Sequence, residues 1–69
     1  MPAVGDVIRL TVERIVPGGD GMGRRDGLAV FVPMSAPGDE LTARVAEARP
    51  GYLRGEIVEI LKPGPGRVA

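Results

Sequence analysis

A chain of 69 residues with nine basic and nine acidic side chains is one small, electrically neutral domain, and a domain of this size buries only about 60% of its unfolded surface. It has no Cys and no His, which excludes disulfides, zinc centres and histidine bases together, so the core must come from its 43% of hydrophobic residues. Zero net charge argues against a strong non-specific nucleic-acid binder, which usually carries a basic excess, so any such contact has to use a local patch.

The first expected strand covers residues 7–13. Ile8, Leu10 and Val12 fall on one face and Arg9, Thr11 and Glu13 on the other, the period of a half-buried strand. The pattern then slips, because Arg14 stands where an apolar residue is due and Ile15 resumes one place late; a bulge or sharp coil would produce this. Pro17-Gly18-Gly19 ends the segment. Residues 22–25 form a short second strand closed by Asp26-Gly27, a hairpin signal of the type I′ kind. Residues 28–32 form the third strand, apolar on both faces, and Pro33 stops its pairing.

The link 34–38 is too short for a helix. The fourth strand covers 40–48, with Leu41, Ala43 and Val45 alternating against Thr42 and Arg44. After the Pro50-Gly51 turn, the fifth strand covers 52–61, with Leu53 and Ile57 inward and a second slip at Val58-Ile60. Residues 1–62 thus make one domain, and 63–69, rich in Pro and Gly, read as an extended exit linker. Five short strands without a helix predict an all-β, closed or nearly closed barrel. Strand spacing leaves OB-like and SH3-like topologies both open. The expected core is Ile8, Leu10, Val12, Val30, Val32, Leu41, Val45 and Ile57.

No catalytic set can be assembled. Ser35 is the sole serine and has no ordinary base, so a turn role suits it better. Asp6, Asp20, Asp26, Asp39 and Glu40 all sit at turns or strand starts, where turn chemistry explains them without a metal. Gly19, Gly21 and Gly23 fail the dinucleotide fingerprint, since a strand follows where a helix is required. The chain offers no catalytic residues of its own.

Binding chemistry is a different matter. Barrels of the OB type hold single strands with cations that track phosphates and aromatics that stack on bases. Arg24 and Arg25 lie beside the Asp26-Gly27 turn, and Arg49 and Arg54 bracket Pro50-Gly51-Tyr52. Phe31 and Tyr52 are the only aromatics. Arg54 can equally pair with neighbouring glutamates on a solvated face, and Phe31, between Val30 and Val32, can equally be core. Alternation sends Tyr52 and Arg54 to one outward face. An SH3-like peptide groove would want more aromatics than these two.

The run from Asp20 to Pro33, the turn Pro37-Gly38-Asp39-Glu40-Leu41 and the opening Gly5-Asp6-Val7-Ile8 together resemble the TRAM domain, a small β-barrel of RNA-modifying enzymes. Gly51-Tyr52-Leu53-Arg54-Gly55 and the stretch 60–68 are most similar to the N-terminal domain of the S-adenosylmethionine-dependent RNA uracil-5-methyltransferases. The resemblance spans nearly the whole chain and implies a five-stranded OB-like barrel, its usual helix between strands three and four reduced to a turn. It implies an RNA-binding module that presents tRNA or rRNA to a catalytic domain, with Arg24, Arg25, Phe31, Arg49, Tyr52 and Arg54 as the contact set. S-adenosylmethionine and an iron–sulfur cluster would belong to that catalytic region, fused or separate, because this chain reaches Ala69 without a cysteine. The alternative is a structural docking domain or a stand-alone TRAM protein. The longest apolar run, 28–32, is far too short to span a bilayer, and Asp6 and Arg9 interrupt any signal pattern. A cytoplasmic monomer without membrane contact is the expectation.

Overall fold

The computed structural model describes residues 3–65. They form six strands: β1 (Val7–Thr11), β2 (Arg14–Ile15), β3 (Gly21–Arg25), β4 (Leu28–Val32), β5 (Glu40–Arg49) and β6 (Tyr52–Lys62). These make one mixed sheet in the order β1-β5-β6-β4-β3-β2, and the described residues contain no helix. All pairs are antiparallel except β4 with β6, which run parallel. This Greek-key order is that of an OB-type barrel, and it decides between the two topologies that strand spacing leaves open.

The strand count is six and not five, because the first expected strand divides in two. Its first part, β1, pairs with β5, while β2 pairs with β3 at the opposite end of the sheet. Val12 and Glu13 make the corner. The Val12 N–H donates to the Asp39 carbonyl at 2.9 Å, its own carbonyl accepts from Gly38 at 2.8 Å, and Glu13 N–H donates to the Met22 carbonyl at 2.8 Å. Adjacent residues thus bond to opposite ends of the sheet, and the chain itself joins those ends although the ladder is not closed. The slip at Arg14 is therefore a change of partner strand, not a bulge within one strand.

The core is Ile8, Leu10, Val12, Val30, Val32, Leu41, Ala43, Val45 and Leu53. Ile57, expected inside, is only half-buried and packs against this cluster beside Leu28 and Ile60. Ile57 keeps its inward position opposite buried Ala43, and a bulge follows it: Glu59 pairs with Thr42, so Val58 has no partner on β5. Leu61 is skipped in the same way, and Ala46 on β5 is the third such residue. The extra residues coil the long β5–β6 hairpin around the barrel.

Two turns behave as the chain predicts. Asp26 and Gly27 both have positive φ, 52° and 80°, as a type I′ hairpin needs. In the β4–β5 link the Ser35 hydroxyl donates to the Val32 carbonyl at 2.7 Å, and the buried Asp39 carboxylate accepts from the Ala36 N–H at 2.9 Å. The same carboxylate accepts from the Gly64 N–H at 2.6 Å, so the first residues of the exit segment are docked on this turn. A side chain at Gly64 would run into the Pro37 carbonyl. Residues 66–69 of the expected linker lie outside the described residues.

Candidate nucleic-acid interface

The register of β3, β4, β6 and β5 arranges the outward side chains in cross-strand rows. Arg24 stands opposite Ala29, Ala29 opposite Tyr52, and Tyr52 opposite Arg49. The next row begins on β2: Arg14 opposite Met22, Met22 opposite Phe31, Phe31 opposite Arg54, and Arg54 opposite Glu47. Directly opposite residues share a face, and the alternate residues Val30, Val32 and Leu53 are fully buried. Five of the six expected contact residues, Arg24, Phe31, Arg49, Tyr52 and Arg54, therefore share one outer face.

Phe31 belongs to this face and not to the core. Its ring meets Tyr52 edge-on, with centroids 5.7 Å apart and planes at 71°, a favoured geometry for aromatic pairs. Both rings are half-buried, so each keeps part of its surface open to a ligand.

Arg25 is placed elsewhere. Its cross-strand partner is Leu28, and its guanidinium Nη1 donates to the Arg9 carbonyl at 3.0 Å, tying β3 to β1. Its Nε also lies 3.9 Å from the Asp26 carboxylate.

Carboxylates link the arginines of β5 and β6 into a chain of alternating charge. Arg49 Nε donates to Glu47 Oε2 at 2.9 Å and its Nη2 reaches the same oxygen. Arg54 Nε lies 3.8 Å from Glu47 Oε1, and Arg54 Nη1 lies 3.6 Å from Asp20 Oδ2. The hydrogen bond to Glu47, followed by the charges of Glu47 and Tyr52, holds the Arg49 guanidinium above its ordinary pKa, with burial acting weakly the other way. The face is thus mixed in charge where these groups meet.

The sequence reading passes over Arg14. Its signal was present, an arginine interrupting an apolar alternation, but only the move of β2 to the far end of the sheet places it beside Met22 on this face. No group of three or more acidic side chains among the described residues could hold a metal ion, and the chain has no cysteine for an iron–sulfur cluster.

A family model for the TRAM domain matches residues 3–58. An uncharacterized RNA methyltransferase of Fusobacterium nucleatum is 44% identical over 68 residues, which is 99% of this chain and 15% of that protein. An uncharacterized RNA methyltransferase of Caulobacter vibrioides is 46% identical over 61 residues, 87% of this chain and 14% of its own length. The chain thus spans about one-seventh of the curated relatives it matches. The solution structure of a conserved protein of Methanococcus maripaludis superposes with a TM-score of 0.75 at 32% identity, covering 81% of this chain and 80% of that one. The matched stretch covers the barrel from before β1 into β6, and this chain belongs to the TRAM domain family.

Proposed function

We propose that the chain is an RNA-binding module that presents tRNA or rRNA to an RNA-methylating catalytic domain of the uracil-5-methyltransferase kind. The observation that carries this reading is the outer face on which Phe31 and Tyr52 pack together among Arg24, Arg49 and Arg54. Half-buried rings offer bases a stacking surface, and guanidinium groups around them supply charged hydrogen-bond donors to RNA. The relatives' description as RNA methyltransferases supports the same use. Methyl transfer from S-adenosylmethionine belongs to the catalytic domain, and so does any iron–sulfur cluster. This chain's residues bind and orient the RNA. The cytoplasm is the compartment where such an RNA is met, and no helix among the described residues is long and apolar enough to cross a membrane.

Docking against a larger protein without RNA contact is the second reading. It is favoured by exposed Val58 and Leu61 at the bulges of β6 and by a 380 Å³ recess lined by Pro33, Met34, Glu56 and Ile57. Tyr52→Ala decides between the two. RNA binding should weaken by about 1–3 kcal/mol if a base stacks on the ring. Unchanged affinity for single-stranded RNA beside a lowered melting temperature would leave Tyr52 a structural lid and favour docking.

A further inference from the structure

Every cation on the described strands but two has an acid within its reach or its register. Arg9 pairs with Glu40, Arg49 with Glu47, Arg54 with Glu47 and Asp20, and Arg25 with Asp26. Arg44 stands opposite Glu56, and Lys62 opposite Glu40. Arg14 and Arg24 differ. Their cross-strand partners are Met22 and Ala29, and among the described residues neither makes an ion pair or a side-chain hydrogen bond. Both are exposed.

The two are also neighbours. Arg14 is opposite Met22, and Met22 lies two residues before Arg24 on β3, so both point to the outer face as diagonal neighbours. Ordinary sheet geometry puts such positions about 7–8 Å apart. Strand β2 ends the sheet order, so no further strand is paired outside Arg14. On the other side of the aromatic pair, a phosphate approaching Arg49 or Arg54 also approaches the negative charge of Glu47 or Asp20.

We propose that Arg14 and Arg24 form a phosphate-binding edge, so that single-stranded RNA lies with its backbone along β2–β3 and its bases over Phe31 and Tyr52. The inference rests on the RNA-binding reading above and gives it a direction. The alternating chain Arg49–Glu47–Arg54–Asp20 then faces base edges, to which a carboxylate can act as acceptor and a guanidinium as donor. Arg14 becomes a contact residue of the face.

The salt dependence of binding tests this, because each neutralised phosphate of a single strand contributes about 0.7 to the log–log slope. The 69-residue chain is titrated against a fluorescein-labelled twelve-nucleotide oligouridine from low to moderate salt, with anisotropy as the readout. Two phosphate contacts predict a slope of about −1.4, against about −2.8 if Arg14, Arg24, Arg49 and Arg54 all bind phosphate. Arg14→Ala and Arg24→Ala should each lower its magnitude by about 0.7, while Arg49→Ala and Arg54→Ala leave it unchanged. Arg14→Lys and Arg24→Lys should keep the parent slope. Both side chains are exposed, and thermal melts matching the parent establish that the variants fold. Equal slope losses at all four arginines, or an unchanged slope in the Arg14→Ala/Arg24→Ala double variant, overturn this assignment alone. A parent chain that does not bind the oligouridine at all overturns the RNA reading with it.

Discussion

Asp39 is fully buried, and besides Ser35 it is the only polar side chain buried among the described residues. Its carboxylate is kept there because it accepts from the Ala36 and Gly64 N–H groups, one in its own turn and one in the exit segment. Asp39→Ala leaves both donors unsatisfied and should cost about 2–4 kcal/mol by chemical denaturation. Arg25 also makes a structural contact, through the Arg9 carbonyl. Arg25→Ala should cost about 0.5–1.5 kcal/mol through that bond alone, since its exposed pair with Asp26 contributes little. The salt slope of RNA binding should not move, and a reduced slope would return Arg25 to the contact set.

Among the elements, the divided first strand matters most. Leu10 is 2% exposed and faces β3 across the barrel, where a side chain at Gly23 would meet its Cγ and Cδ1 and the Thr11 carbonyl. Leu10→Ala should cost about 2–5 kcal/mol, a large share of the stability of so small a domain. An unchanged melt would remove Leu10 from the core. The bulge at Val58 has the opposite character. It lets Ile57 and Ile60, three residues apart, both pack against the core, while Val58 itself is 48% exposed. Val58→Lys should therefore stay within about 0.5 kcal/mol of the parent.

At the scale of the whole molecule, nine acidic groups balance nine basic ones, and among the described residues a carboxylate-linked chain lies beside the unpaired basic edge of Arg14 and Arg24. Glu47→Gln removes the charge shared by Arg49 and Arg54 and leaves the chain with a net charge of +1, from nine basic against eight acidic groups. With the backbone along β2–β3, Glu47 lies on the base side of the face, farther from the phosphates than the 4 Å at which a like charge costs about 1 kcal/mol in water, so oligouridine affinity at low salt should rise by less than about fivefold. The gain should fade as salt screens it. Weaker binding would mean that Glu47 holds the arginines in their working geometry. Stability changes in this domain should appear as cooperative shifts in melting of about 4–8 °C per kcal/mol.

Local pattern by itself determined the β class, most strand bounds, the Asp26-Gly27 hairpin and nearly all of the core. Alternation and turn chemistry act over a few residues, so they can be read along the chain. It also put Tyr52 and Arg54 on one face, because a strand's side-chain period is two. Only the tertiary structure decided that residues 7–15 serve two partner strands, that Arg25 turns to β1, and that Arg14 joins Arg24. Those facts depend on pairing between segments far apart in the chain, which no local signal encodes. The ion pair of Glu47 with Arg54 is settled the same way, by a register that a bulge at Ala46 shifts by one residue, whereas Glu47 and Arg49 meet because they lie two residues apart on β5.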